Sequence, residues 1–189
     1  DSLEVVLDLG PDRLITGHFD PIVGAASIAD EVRAMQEAMR WVHDRTVDGM
    51  NAGTDVHTLM REVHIPDHLD VGEGYGQTKW NVRAIWENYA GWFHHRSTTE
   101  LYGVPPLAVA PDLVAAAGAD ALVAAARSHL DHDRAVEALQ LTDIVLGAEP
   151  RHDGANAVAI AAHESLLAAS ENFWEQAWLK RSIAKLNRP

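Results

Sequence analysis

The sequence contains no cysteine among its 189 residues. Without thiols the chain cannot form disulfides or thiolate zinc sites, so histidine, aspartate and glutamate are the only strong metal ligands it offers. Eleven histidines are present, and the spacing of each group decides whether it suits a metal. A chain of this length can bury about two thirds of its unfolded surface, which is enough for a stable core without cross-links.

Long hydrophobic runs and an excess of positive charge are also lacking. The 28 acidic residues outnumber the 15 basic ones and give a net charge of -13 at pH 7. Such a charge repels phosphate backbones and anionic lipid surfaces. No apolar run approaches the ~20 residues of a membrane span, and no charged-then-apolar signal segment opens the chain. We therefore predict no nucleic-acid partner and no membrane partner, and the cellular compartment is left open.

One short helix and one strand are predicted before residue 18, and only helices after it. Ser2 can cap an amphipathic helix that Gly10-Pro11 stops, and residues 13–16 form a strand that leads into Gly17-His18. Beyond this point apolar residues recur at spacings of three and four. The stripe comprises Ile28, Val32, Met35, Met39 and Val42. It faces either a core or a partner subunit.

Short helices rich in alanine fill the second half of the chain. We predict them over residues 111–117, 120–130, 133–146, 156–169 and 171–186, with Gly118, Asp131-His132 and Pro150 between them. Helices of this length joined by short loops resemble tetratricopeptide hairpins, but two full copies of the 34-residue repeat cannot be aligned. A helical module that binds peptides is therefore one hypothesis for the function.

Three groups of histidines do not suit a metal. The run His129-Leu130-Asp131-His132 is one residue short of the His-x-His-x-Asp-His signature of metallo-β-lactamase folds, and it lies at a predicted helix–helix turn instead of after a strand. Pro66 interrupts the pair His64 and His68. His163-Glu164 lacks the second histidine of a zinc-protease helix.

A glycine-rich loop at residues 72–76 precedes a group of tryptophans. The loop has no Gly-Lys-Ser/Thr ending and carries Glu73, so we expect a connector and not an anion site. Trp80, Trp86 and Trp92 lie too close together in sequence for one small core stripe. They are candidates for an interface or a pocket wall.

Several short motifs follow one another in a characteristic order. They are Gly17-His18, Pro21-Ile22, Val42-His43-Asp44-Arg45-Thr46, Met50-Asn51-Ala52-Gly53, Ile65-Pro66, Gly74-Tyr75-Gly76, Tyr89-Ala90-Gly91-Trp92-Phe93 and Pro105-Pro106. Together they resemble the alkylsulfatases of the metallo-β-lactamase superfamily, over nearly all of the chain. The resemblance implies that residues 1–26 are the tail of a metallo-β-lactamase-like αββα catalytic domain, of which one helix and one strand remain. Residues 27–189 would then be a mainly α dimerisation domain with tetratricopeptide-like hairpins.

The resemblance implies one metal ligand in this chain. In that family Gly-His-x-x-Pro-Ile supplies the last histidine of a two-zinc site, so His18 is expected to be a zinc ligand, with Asp20 as a candidate to fix its tautomer. The parent would be a zinc-dependent bacterial hydrolase of alkyl sulfate esters. Because the other ligands would lie upstream, the chain alone is expected to be inactive and to hold no zinc tightly.

The resemblance also implies partners and contact residues. The expected partners are a second copy of the chain and the remainder of the catalytic domain. The candidate pocket-wall residues are Tyr75, Tyr89 and Trp92, and the candidate dimer contacts are Met35, Met39, Trp80, Trp86 and Phe93. His94-His95 stand where the family has Asp-Gly, which indicates a divergent branch. The alternative of a dimerisation domain from a hydrolase of another ester therefore stays open.

Overall fold

Helices dominate the structure, a computed structural model that describes residues 2–94 and 96–188. The prediction of a mainly α fold is confirmed. The chain divides into two units, residues 1–95 and residues 96–189. The predicted domain boundary between residues 26 and 27 lies inside the first unit and stays a prediction. His95, named above as a departure from the family pattern, lies outside the described residues.

The first unit contains four helices and a two-stranded ladder within its described residues. Its elements are α1 (Ser2–Leu9), β1 (Arg13–Leu14), β2 (Ile22–Val23), α2 (Ala25–Asn51), α3 (Val56–Glu62) and α4 (Thr78–Ala90), with a 3-10 turn at Asp67–Leu69. β1 and β2 are antiparallel, with Arg13 opposite Val23 and Leu14 opposite Ile22. The sequence analysis placed only helices after residue 18, so β2 corrects it. A strand of two residues is too short to show a period of two.

Local signals set most helix ends in the first unit. Gly24, at φ 102°, immediately precedes α2, which begins at Ala25. The Asp55 side chain accepts hydrogen bonds from the first-turn amides of α3, as an N-cap should. Gly91, at φ 71°, ends α4.

The core of the first unit consists of large apolar side chains from α2, α3 and α4. They are Val42, Val56, Leu59, Val63, Val82 and Trp86. Gly49 lets α3 approach α2, because a Cβ atom there would lie 2.3 Å from Leu59 Cδ2. This glycine in the last turn of a long helix therefore has a packing role.

The second unit is helical throughout its described residues. Its elements are 3-10 turns at Thr98–Leu101 and Pro106–Val109, then α5 (Ala110–Ala117), α6 (Ala119–Leu130), α7 (Ala135–Ala148), α8 (Asp153–Ala169) and α9 (Phe173–Leu186). Ser97 and Glu100 form a capping box at the first of these turns. α7 begins two residues later than predicted, because Asp133 adopts φ 58°.

Small side chains form the core of the second unit. The fully buried members are Val114, Val123, Ala126, Ala135, Ala138, Val145, Ala155, Val158 and Ala162. Consecutive helices from α6 to α9 pack against each other, and α6 also packs against α8. In the described part of the chain no single helix is long and apolar enough to cross a membrane. The helical segments 106–117 and 119–130 have the required length and composition only when taken together, and the chain bends by 104° between them.

Candidate functional site

His18 lies in the turn that joins β1 to β2. The ladder is extended by a hydrogen bond from the Gly24 amide to the Asp12 carbonyl, 2.8 Å long. Inside the turn the Thr16 hydroxyl donates to the backbone carbonyl of His18, and Phe19 takes a left-handed conformation with φ 67°. The turn therefore presents the side chain of His18 to solvent.

An aromatic stack joins this turn to the glycine-rich loop. The rings of His18 and Tyr75 lie 4.0 Å apart, centroid to centroid, and are inclined by only 12°. Phe19 meets the same tyrosine edge-on, with a centroid distance of 5.3 Å and an angle of 86°. These are favourable aromatic geometries. The expected metal ligand and one expected pocket-wall residue therefore lie together, although 57 positions of sequence separate residues 18 and 75.

The glycine-rich loop itself is a connector, as predicted. Glu73 Oε1 accepts a hydrogen bond of 2.6 Å from the amide of Thr78, the first residue of α4. A carboxylate thus occupies the helix N-terminus where an anion would bind. Asp70 Oδ1 accepts from the Gly72 amide at 2.8 Å and shapes the start of the loop.

A second polar arrangement links α2 to the end of α4. His43 Nε2 lies 2.8 Å from the hydroxyl of Tyr89, and His43 Nδ1 lies 3.0 Å from Asp44 Oδ1. Since an ionised carboxylate only accepts, Nδ1 carries a proton, and in the neutral imidazole Nε2 then accepts the hydrogen of the phenol. This pairing fixes one tautomer of the histidine. Sequence analysis selected Tyr89 but missed its partner, although His43-Asp44 belonged to the motifs that carried the resemblance.

Two clefts flank the methionines of α2. An open groove of about 420 Å³ lies between α1 and α2 and is lined in part by Leu3, Met39, His43 and Ile85. A smaller cleft of about 170 Å³ is lined by Met35, Met39 and residues of the loop up to α4. Met35 is 37% exposed and Met39 is 40% exposed. Both predicted dimer contacts therefore lie at the surface of the described structure.

The predicted aromatic contacts do not form one cluster. Trp86 is only 9% exposed and belongs to the core of the first unit. Its indole Nε1 is buried without a hydrogen-bond partner among the described residues. Trp80 and Phe93 are half-buried, whereas Trp92 is 67% exposed with its ring 6.1 Å from that of Phe93. The functional roles assigned to these residues stay predictions.

An ion pair stiffens the last turns of α4. Arg83 Nε donates to Glu87 Oε1 at 2.9 Å, and His94 Nε2 lies 3.5 Å from the same oxygen. The hydrogen bond from Arg83 lowers the pKa of Glu87 below its usual value. Glu87 is therefore ionised at neutral pH, one turn before the exposed Trp92.

No metal site is assembled within residues 2–94 and 96–188. No group of three or more histidine, cysteine, aspartate or glutamate side chains could hold an ion there. Two of the histidine groups set aside above make local hydrogen bonds: His132 Nδ1 bonds the Ser128 carbonyl at 2.7 Å and His163 Nδ1 bonds the Ala159 carbonyl at 2.7 Å. Asp20 makes no hydrogen bond to His18 among the described residues, and its tautomer-fixing role stays a prediction.

The second unit has a groove of its own, with a volume of about 680 Å³. Leu107, Leu146 and Leu186 supply apolar surface. Its charged lining residues are Asp143, Arg151, Asp153, Lys185 and Arg188. Partial burial raises the pKa of Asp143, and the nearby His163 opposes this shift.

Comparison with known proteins shows that the chain is similar to one part of several alkylsulfatases. It is 31% identical over 139 residues to a linear primary-alkylsulfatase of Pseudomonas sp., covering 70% of this chain and 26% of that protein. It is 25% identical over 185 residues to an alkyl/aryl-sulfatase of Saccharomyces cerevisiae, covering 95% of this chain and 28% of the relative. The chain thus spans less than a third of the length of these curated relatives.

A solved structure gives the same result. The stereoselective inverting sec-alkylsulfatase Pisa1 from Pseudomonas sp. matches all of this chain and 31% of its own, with a TM-score of 0.85 and 26% identity. The family model described as alkyl sulfatase dimerisation matches residues 56–187, which include α3 to α9. The chain therefore belongs to the alkyl sulfatase dimerisation family.

Proposed function

We propose that this chain joins two subunits of a longer hydrolase that cleaves alkyl sulfate esters, and that it supplies one wall and one metal ligand of that enzyme's active site. The family match over residues 56–187 supports the self-association. The names of the relatives support the class of substrate, and the share of their length that the chain spans supports a longer parent.

The observation that carries the proposal is the stack of His18 on Tyr75. Tyr75 lies inside the matched region, whereas His18 lies before it, yet their rings are 4.0 Å apart. The dimerisation region is therefore in direct contact with the turn that carries the expected metal ligand. Such a contact suits a domain that both pairs subunits and closes one side of a catalytic pocket.

His18 has the chemistry of one ligand and not of a complete site. Its imidazole is exposed, and no ring nitrogen forms a hydrogen bond within the described part of the chain. Zinc, when bound by such a ligand set, supplies Lewis acidity for ester hydrolysis. In the proposed arrangement His18 holds one coordination position while Tyr75 fixes the orientation of its ring. The remaining ligands would come from the rest of the catalytic domain.

Sedimentation equilibrium of the 189-residue chain tests the proposal. We expect a dimer at micromolar concentration, with the mass following a monomer–dimer equilibrium on dilution. A chain that stays monomeric up to high micromolar concentration would contradict the proposed role. Metal analysis of the same sample should find no stoichiometric zinc, and about two tightly bound ions per chain would favour the hypothesis that it is a hydrolase by itself.

The groove of the second unit supports one alternative function, the binding of a peptide. It has the volume of a ligand site and combines leucines with charges of both signs, as a peptide-binding module would need. A monomeric chain that retains a specific peptide in a pull-down would favour this alternative over dimerisation.

A further inference from the structure

Phe19, the residue after His18, combines a disfavoured backbone conformation with an exposed ring. Its φ is 67°, in the left-handed region that glycine and asparagine adopt much more readily than phenylalanine does. Its side chain is 81% exposed, so burial in a core contributes little to holding it there. Backbone strain persists only where the surroundings enforce it, and it is concentrated at functional sites. The contacts of the ring therefore indicate what the conformation serves.

The ring of Phe19 contacts the glycine-rich loop. It meets Tyr75 with a distance of 5.3 Å between ring centroids and an angle of 86° between the ring planes. A Cβ atom placed on Gly74 would lie 3.5 Å from Phe19 Cζ, so the tip of the ring also reaches the backbone of the loop. Edge-to-face pairs of this kind are favourable and restrict the relative orientation of the two rings.

Tyr75 is in contact with two consecutive residues of the β1–β2 turn. It stacks on the imidazole of His18 at 4.0 Å with an angle of only 12°, whereas the ring of Phe19 is almost perpendicular to it. Because the two contacts differ in geometry, together they restrain the ring of Tyr75 more than either does alone. The left-handed conformation of Phe19 is the backbone geometry in which both contacts occur.

The turn and the loop are each held by hydrogen bonds of their own. In the turn the Thr16 hydroxyl donates to the backbone carbonyl of His18. In the loop Glu73 Oε1 accepts from the amide of Thr78 at 2.6 Å. The three aromatic rings therefore meet between two backbone segments that are shaped independently of the rings.

From these contacts we infer that Phe19 is a positioning residue for the expected zinc ligand. Its ring holds Tyr75 against the imidazole of His18 and so fixes the orientation of that imidazole before a metal arrives. A free side chain samples three staggered χ1 positions, and binding of a metal restricts it to one. An imidazole that is oriented in advance loses less freedom on binding. The inference rests on the proposed function, in which His18 is a metal ligand, and adds a residue that acts through Tyr75.

The orientation of His18 can be measured in the metal-free chain by NMR. Histidine labelled at Cε1 gives one signal for each imidazole, and the signal that is absent from His18→Gln belongs to residue 18. An imidazole stacked on a tyrosine at 4.0 Å lies in the shielding region of that ring, so we expect this signal to be displaced upfield. Tyr75→Leu should abolish the displacement and thereby gives its full size.

Substitutions of Phe19 separate the role of its ring from that of its backbone. Phe19→Ala should reduce the displacement toward about a third, because a released imidazole averages over the three staggered χ1 positions. Phe19→Gly removes the ring and also the strain, since glycine adopts a positive φ readily. We expect the same reduction in this variant. Phe19→Tyr keeps an aromatic ring and should keep the displacement. The circular-dichroism spectrum should be unchanged throughout, because the side chain is exposed.

Ile15→Ala is the matched control. Ile15 is 76% exposed and lies in the same connection between β1 and β2. Its substitution removes an exposed apolar side chain from the turn without removing an aromatic ring, so the signal of His18 should stay in place. Relaxation of the same signal gives a second readout. The order parameter should fall in the alanine and glycine variants of Phe19 and not in Ile15→Ala.

The outcomes decide the role of Phe19 separately from dimerisation. Loss of the displacement in Phe19→Ala and Phe19→Gly, with retention in Phe19→Tyr and Ile15→Ala, would establish the positioning role. Retention in Phe19→Gly would overturn it, because the ring would not be needed. Equal loss in Ile15→Ala would also overturn it, since any change in the turn would then have the same effect. A signal that does not respond to Tyr75→Leu would contradict the stack itself and overturn the role. A monomeric chain in sedimentation would contradict the proposed dimerisation and leave the result for Phe19 standing.

Discussion

The two units use different side chains to hold helices together. In the first unit Trp86, Leu59 and four valines form the core, and the long connection between α3 and α4 carries Tyr75 of the candidate site. In the second unit five of the nine fully buried core residues are alanine, and short connections join the helices. Large side chains tolerate irregular helix spacing, whereas alanine requires close and regular approach. The difference suggests a unit specialised for the site and a unit specialised as a scaffold.

Removing the largest core side chain of the first unit should have the greatest effect. Trp86→Ala deletes an indole that is 9% exposed and leaves a cavity. We expect a loss of about 3 to 5 kcal/mol in the free energy of unfolding, with hydrogen exchange rising first in residues 1–95. The half-buried Trp80→Ala is the matched control and should cost clearly less. If both variants lost the same free energy of unfolding, the core role of Trp86 would be contradicted and its role as a dimer contact would be favoured.

Enlarging a core residue of the second unit should have the next largest effect. Ala138 is fully buried, and a leucine there would force the surrounding helices apart. We expect Ala138→Leu to cost about 1 to 3 kcal/mol in chemical denaturation. Val136→Leu, at a position 54% exposed in the same helix, should be close to neutral. If Ala138→Leu left the free energy of unfolding unchanged, the alanine core would contain space for larger side chains. The contrast between the two units would then be wrong.

Substitution of Asp143 should change the free energy of unfolding least, and the change should depend on pH. Its pKa is raised, chiefly by burial, so the native state binds the proton more tightly than the unfolded state does. Protonated Asp143 stabilises the native state fully when the pH is below the usual aspartate pKa of 3.8. This stabilisation is lost as the pH rises through the pKa of Asp143 in the native state. Asp143→Asn should therefore stabilise the chain at neutral pH, and the gain should vanish in acid. Because the residue as a whole is exposed, we expect no more than about 0.5 kcal/mol.

Thermal unfolding at neutral and acidic pH measures this difference. Glu164→Gln, at an exposed position in α8, serves as the control and should show no such dependence. Destabilisation of Asp143→Asn at neutral pH would show that the carboxylate makes a favourable contact in the groove instead of an unfavourable one.

Most helices of the second unit were predicted to within about two residues. Gly118, the turn after His129 and Pro150 are strong local signals, and the alanine-rich segments between them have a high intrinsic helix propensity. The capping box of Ser97 and Glu100 was equally local. The strand β2 was missed because two residues of extended chain acquire a ladder only when β1 is beside them.

The candidate site was only partly predictable. His18 and Tyr75 were selected individually, from short motifs, but their stacking depends on a loop closing across 57 positions. The bond between His43 and Tyr89 was missed for the same reason, since it joins α2 to the end of α4. Trp86 was predicted to be a dimer contact from its aromatic neighbours in sequence. The structure packs it in the core of the first unit, and its role in the dimer stays a prediction.

The sequence by itself determined that the chain is helical, free of disulfides, strongly acidic and related to the alkylsulfatases, because these properties depend on composition and on local spacing. Tertiary structure alone decided which aromatic side chains are buried, which meet His18 and which remain on the surface of α9. Each of these outcomes depends on how elements distant in sequence pack together, and local residue patterns carry little information about that packing.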